Sequence, residues 1–287
     1  MQKVMEDVDV VVHCAAALPL WSKEEIYSVN VEGTANLLKI ASISGVERFV
    51  FISSTAVYGK NVKGTKEDAE LSGVGEYGKS KIMAEKECIS YRKKMIVPIL
   101  RPKTFGGPMR LGVFQILCDW VMHKKNIPIV GTGENRYQLL HIDDLLDVIH
   151  IISTSDEEKV NETFNVGSAE FGTLKEDLEK LLQYAGTGKR VIPVPSKLII
   201  PILRIFEKIN ISPLYEWVYE TADKDHYVSV EKIMDRFNWR PKKSTADVWI
   251  DTYAWYVREH EKYEKNIGIT HTSAWNQGVL YLFRSLF

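Results

Sequence analysis

Cysteine is scarce in this 287-residue chain: Cys14, Cys88 and Cys118 form an odd, scattered set without metal-ligand spacing. That argues against a disulfide framework and fits a reducing compartment. No run approaches the roughly 18 consecutive apolar residues of a spanning helix. The opening Met1-Gln2-Lys3-Val4-Met5-Glu6-Asp7 carries acids where a secretory leader needs an apolar stretch, so no leader is expected. An excess of one charge is missing too, because 37 basic side chains stand against 38 acidic ones. A near-neutral chain lacks the basic footprint of a nucleic-acid binder, and no nucleic-acid partner is expected. The sequence also shows no internal repeat, low-complexity tract or flexible linker. What remains is 45% hydrophobic and long enough to bury a large core. It reads as a cytoplasmic globular protein acting on a small molecule.

The first third alternates short β-branched runs with helical spacing. Residues 8–12 begin an apolar run, Val8-Asp9-Val10-Val11-Val12-His13-Cys14-Ala15-Ala16-Ala17, that suits a strand covered on both faces. A helix is predicted over 24–44, stopped by Gly45, then a strand over 48–53, a helix over 76–90 and a strand over 95–100. This βαβ rhythm predicts an α/β fold with a doubly wound parallel sheet. After Pro108 the rhythm loosens. Helices are predicted over 111–123, 143–153, 174–184, 196–208 and 245–263, and strands over 127–130, 163–166 and 190–194. The expected organisation is a sheet domain over 1–108, joined again by 140–168. A smaller α/β substrate-binding part follows over 109–265, then a tail over 266–287 of no assigned role.

The chemistry concentrates at Tyr77-Gly78-Lys79-Ser80-Lys81. On a helix, Tyr77 and Lys81 stand one turn apart on one face. An ammonium there favours the phenolate of a tyrosine that otherwise titrates near 10, which makes a general base usable closer to neutrality. Upstream, Ser53-Ser54-Thr55-Ala56 closes a predicted strand and puts hydroxyls at the carboxyl edge of a parallel sheet, where open α/β sheets bind ligands. A base, a cation and a hydroxyl donor suit hydride removal from a carbinol.

With these residues the chain resembles the extended short-chain dehydrogenase/reductases, the NAD-dependent epimerase/dehydratases. The resemblance also runs through His13-Cys14-Ala15-Ala16, Asn30-Val31-Glu32-Gly33-Thr34, Tyr58-Gly59, Leu100-Arg101-Pro102, Gly131-Thr132-Gly133, His141-Ile142-Asp143-Asp144 and Phe164-Asn165-Val166-Gly167, in family order. It implies a Rossmann-like fold with NAD or NADP as cofactor. It makes Tyr77 the catalytic base, Lys81 its tuning partner on the nicotinamide ribose, and Ser54 the group polarising the substrate, with Thr55 beside it. Asn30 would brace the active-site helix, while Ala15 and Ala16 let the cofactor lie close. His13, Ser53, Lys103 and Thr104 complete the implied cofactor contacts. A homodimer through helices 24–44 and 76–90 is implied in the same way.

The resemblance also implies a glycine-rich strand–turn–helix for the cofactor pyrophosphate, which does not occur in this sequence. On that reading the sheet is N-terminally truncated by three strands and two helices, roughly 50–60 residues, and residues 8–12 become an exposed edge. Gly73-Val74-Gly75-Glu76-Tyr77-Gly78 matches a G-x-G-x-x-G pattern but follows no strand and overlaps the Tyr77 motif, so no phosphate role is expected of it. A catalytically incomplete fragment or a pseudoenzyme serving as a binding scaffold is the rival expectation.

Family dehydratases carry an Asp-Glu pair after the catalytic Thr; here Thr55-Ala56 stands there, which favours an epimerase or oxidoreductase. Arg136 lies near where relatives clamp a nucleotide diphosphate but five residues before His141, where many of them show four, so a surface-loop arginine is its alternative role. The expected substrate is a sugar nucleotide or similar small molecule, with a steroid- or lipid-like alcohol as the alternative. His141 and Asp143 read as a packed histidine and a helix cap, with no metal. The apolar stretch 196–210 is expected to pack on the substrate part; its alternatives are a lid over a hydrophobic substrate and peripheral contact with a membrane.

Overall fold

The computed structural model describes residues 4–110, 113–209, 211, 214, 216–263 and 284. It falls into two compact units, one of residues 1–104, 143–167 and 228–241, the other of 105–142, 168–227 and 242–287. The return of 228–241 to the first unit has no counterpart in the expected boundaries.

The first unit is built on a four-stranded parallel sheet. Its strands are β1 (Val10–His13), β2 (Arg48–Ile52), β3 (Ile99–Pro102) and β4 (Thr163–Val166), side by side in chain order. Between them come α1 (Thr34–Ile43), α2 (Gly75–Tyr91) and α3 (Ile142–Thr154). The aromatic and aliphatic side chains of β2 and β3, Phe49, Phe51 and Ile99, are fully buried with Leu38 and Ala41 of α1 and Ala84 and Cys88 of α2. Arg48 opens β2, and its guanidinium donates to the carbonyls of Ile152 and Ser155, both at 2.7 Å. These lie at the end of α3, where a cation meets the negative pole of a helix.

Three expectations need correction here. β1 stands at the edge of the described strands, as expected of residues 8–12, but with Val10 and Val12 37% and 39% exposed it is not covered on both faces. Its β-branched run specifies extended backbone, but burial depends on neighbours far away in sequence. The helix predicted over 24–44 is three segments: Lys23–Tyr27, a π-helical stretch Ser28–Gly33, and α1. The third predicted strand begins later than residue 95, because only Ile99–Pro102 pairs continuously while Ile96 makes a single bridge to Arg48.

The second unit has two small parallel pairs, Ile127–Val130 with Val191–Val194 and Phe105–Gly106 with Leu140–His141. Its core joins Phe114, Val121, Leu139, Leu178, Leu181, Val248 and Trp249. The helix Leu174–Ala185 starts with a Thr173–Glu176 capping box and stops at Gly186, whose φ of 62° suits glycine. The helix predicted over 111–123 is seen as Val113–Met122, with 111–112 outside the described residues. The helix Ser196–Lys208 stands where expected, yet Leu203 is its one buried residue, so packing accounts for one face only. Most of the tail 266–287 lies outside the described residues. Arg284, which is described, donates to Asp119 at 2.7 Å.

Candidate active site

The carboxyl ends of β1 and β2 and the start of α2 meet in the first unit. Helix α2 buries an unusual stripe: Gly78, Ser80, Lys81, Ala84, Glu85 and Cys88. Apolar residues at this period would mark an ordinary packing helix; three polar or charged groups among them are the informative departure.

Lys81 is the centre of the arrangement. It is 2% exposed, and its ammonium donates to the Ile52 carbonyl at 2.9 Å at the end of β2. The cation lies 4.8 Å from the ring centroid of Phe51 and 6.0 Å from that of Tyr77. Burial draws its pKa from 10.5 down to about 8, against the opposing influence of Cys88, Glu85 and Cys14. It therefore stays charged at neutral pH. Tyr77, partly exposed, sits one turn before it on α2.

Ser54 is brought to the same place by a second element. It caps the 3-10 turn Thr55–Val57, its hydroxyl accepting from the Ala56 amide at 3.2 Å. No other hydrogen bond engages that hydroxyl among the described residues, so its proton is available to an incoming oxygen. The turn packs on the start of α2: the Val74 amide donates to the Ala56 carbonyl at 3.0 Å, and a β-carbon added at Gly78 would lie 2.6 Å from the same oxygen. Gly78 is thus required for close approach between the turn carrying Ser54 and the helix carrying Tyr77. This is the structural use of the last glycine of the pattern that mimics a phosphate loop.

Asn30 supplies the brace, from within the π-helical stretch. Its carboxamide accepts from the Ala17 amide at 2.8 Å and donates to the Ala17 carbonyl at 3.3 Å. It also donates to Ser80 Oγ at 3.0 Å, whose own proton goes to the Tyr77 carbonyl at 2.8 Å. One side chain therefore ties the segment after β1 to the turn of α2 between Tyr77 and Lys81. The π register was not legible in the sequence, although such stretches recur at functional sites.

His13 closes β1. Thr34 Oγ directs its proton to the Asn30 carbonyl at 2.8 Å, so at 3.0 Å it accepts from His13 Nε2–H. Burial, reinforced by the Lys81 cation, draws the His13 pKa down to about 4, and the ring is neutral. Ala15 is exposed and Ala16 half-buried, beside the exposed thiol of Cys14.

The other residues expected at the site lie just past the ends of β2 and β3, in the Thr55–Val57 turn and in the second unit. The Ser53 hydroxyl donates to Glu85 at 2.5 Å, inside a buried ion pair with Arg101 that closes at 2.6 Å. Arg101 also donates to Tyr58 Oη at 2.7 Å, and Tyr58 in turn to Asn165 at 2.7 Å. This network joins β2, α2, β3 and β4 beneath the site. In the sequence Arg101 and Tyr58 stand only as letters of family motifs, and no local signal there announces this role. Lys103 is 1% exposed, and burial holds its pKa well below the usual lysine range. Thr104 is half-buried and ends the first unit's opening segment, while Thr55 is buried in the turn. Arg136 belongs to the second unit, where its guanidinium carbon lies 4.4 Å from the Phe171 ring and 4.9 Å from the Tyr227 ring.

His141 is buried, with Nε2 3.4 Å from Asp251. Asp143 lies in the first turn of α3 and does not cap it, since the helix begins at Ile142. No three His, Cys, Asp or Glu side chains gather to hold a metal among the described residues.

The model of the NAD dependent epimerase/dehydratase family matches residues 1–167. An uncharacterized protein of Sinorhizobium fredii is 32% identical over 98% of this chain and 72% of its own length. A UDP-glucose 4-epimerase of Vibrio cholerae is 32% identical over 67% of this chain and 61% of its own. Among solved structures, the UDP-glucuronic acid 4-epimerase of Bacillus cereus in complex with NAD superposes with a TM-score of 0.73 at 21% identity, covering 90% of this chain and 77% of that one. That likeness shows the Rossmann-like fold. The family match over more than half the chain, together with the relative 32% identical over 98% of it, places this protein in the NAD dependent epimerase/dehydratase family.

Proposed function

We propose that the protein is an NAD(P)-dependent epimerase or oxidoreductase acting on a secondary alcohol of a nucleotide sugar, with Tyr77 as proton acceptor. The observation that carries this reading is the buried Lys81 cation, one helical turn from Tyr77 and held in place by the Ile52 carbonyl.

The residues present fit the nicotinamide-ribose end of a dinucleotide. Lys81 offers ammonium protons, the segment 14–16 has only small side chains, and the neutral His13 ring adds no competing charge. When bound, a nicotinamide supplies the acceptor for hydride leaving the carbinol carbon. Tyr77 Oη takes the carbinol proton, and Lys81 stabilises the phenolate between turnovers. Ser54 donates its free hydroxyl proton to the oxygen becoming a carbonyl. Asn30 acts through Ser80 as a positioning residue.

Dehydration of a keto sugar needs a further acid/base pair next to the substrate. Thr55 and Ala56, both buried in the turn, provide none, which supports epimerisation or simple oxidoreduction. Within the second unit Arg136 is exposed and stacked on two rings, and its guanidinium is of a kind suited to a phosphate group.

The test is turnover of UDP-hexoses with NAD and with NADP, followed by NMR of the sugar, for wild type and Tyr77→Phe. The proposal predicts a changed sugar that the variant fails to produce. Turnover unaffected by Tyr77→Phe contradicts the assigned base. Absence of any nicotinamide binding favours a scaffold that has kept the fold alone.

A further inference from the structure

The helix Ser196–Lys208 leaves a row of apolar side chains open. Leu203 faces inward at 4% exposure, whereas Leu198, Ile202, Ile205 and Ile209 are 67%, 41%, 57% and 57% exposed. Those four stand at i, i+4, i+7 and i+11, which is one side of a helix. Ile211, 40% exposed, follows them in the chain.

A second row lies about 100° round the axis. Lys197, Arg204 and Lys208 share it, all exposed. Arg204 is paired with Glu220, while Lys197 and Lys208 hold no partner among the described residues. Glu207, the only acid on the helix, is turned away: it accepts from Tyr219 Oη and from the Glu216 amide at 3.0 Å. The aliphatic stripe therefore has cations on one flank and no carboxylate within it.

We propose that this face lies on an anionic lipid surface, with Leu198, Ile202, Ile205 and Ile209 entering the acyl boundary and Lys197 and Lys208 meeting the headgroups. Two features select lipid over protein. Protein interfaces gain most from Trp, Tyr and Arg anchors set in pockets, whereas this stripe is aliphatic throughout. The flanking cation row matches the charge pattern of helices that rest in the membrane interface. No helix among the described residues is long and apolar enough to cross a membrane, so the contact is peripheral. The surface stands whatever reaction the Tyr77 site performs.

Co-sedimentation with vesicles tests this. The wild-type protein should partition onto phosphatidylglycerol/phosphatidylcholine vesicles more strongly than onto phosphatidylcholine alone, by about fivefold for each cation near the surface, and added salt should narrow that difference. Leu198→Gln/Ile205→Gln, at exposed positions and in a good helix former, should keep its circular dichroism and lose partitioning on the order of tenfold for each side chain. Lys197→Gln/Lys208→Gln should bind both vesicle types alike. Failure of the wild type to sediment with either vesicle overturns the proposal, as does equal partitioning by the aliphatic variant. A vesicle-free dimer that the aliphatic variant converts to monomer also overturns it, and assigns the face to a second copy of the chain.

Discussion

Replacing Lys81 by methionine should stabilise the fold at neutral pH while disabling the site. The side chain is buried, and its pKa falls from 10.5 to about 8, chiefly through desolvation. Holding the charged form inside therefore costs roughly 3 kcal/mol relative to the unfolded chain at pH 7. Methionine fills a similar volume without charge, but leaves the Ile52 carbonyl without its donor, a loss of about 1 kcal/mol. The variant should then be about 2 kcal/mol more stable at pH 7 and melt about 4–8 °C higher. The sign changes with pH. Between about pH 8 and 10.5 the unfolded chain still carries the lysine proton and the folded one has released it, so wild-type stability rises with pH in that window. The methionine variant lacks this rise, and its advantage should vanish by about pH 10. Urea unfolding followed by tryptophan fluorescence at several pH values measures both effects. Parallel profiles for the two proteins, with no gain at pH 7, would refute the claim that a buried cation sits beside Tyr77.

Gly78→Ala puts a methyl 2.6 Å from the Ala56 carbonyl, and should destabilise the fold by about 1–3 kcal/mol while lowering turnover through the displaced Ser54 turn. Thermal melts and kinetics together check it, and an unchanged melt would mean that the turn and α2 are not in close contact. Arg101→Met leaves Glu85 charged and buried without its partner, so it should cost roughly 3–5 kcal/mol by urea titration. Tyr77→Phe should lower turnover by about 10²–10⁴-fold without changing thermal stability by more than about 1 kcal/mol.

What could be read in the sequence was whatever depends on local period. Tyr77 and Lys81 are four residues apart, and a helix at that point makes them neighbours. The strands Ile127–Val130 and Thr163–Val166 and the helices Ser196–Lys208 and Thr245–Tyr263 stand as their runs predict. Interactions between distant segments were not legible. Asn30 meets Ala17 and Ser80, 13 and 50 positions away, and nothing near Asn30 announces a π register. Arg101, Glu85 and Tyr58 are ordinary surface types in isolation; their burial follows from β2, β3 and α2 closing over them. The helix Ser196–Lys208 is a case where the sequence leaves two outcomes open. Apolar residues on almost every side allow either packing or an open face, and the fold shows Leu203 buried and one face exposed.

Fluorescence titration with NADH of wild type, Tyr77→Phe and Lys81→Met tests the central claim most directly, because it asks whether one buried ammonium serves both the cofactor and the base. Saturable binding is expected, retained by Tyr77→Phe within about twofold and weakened by Lys81→Met at least about tenfold, the equivalent of one lost charge-assisted contact. Binding that is equally strong in all three proteins, or lacking in the wild type, would contradict that claim.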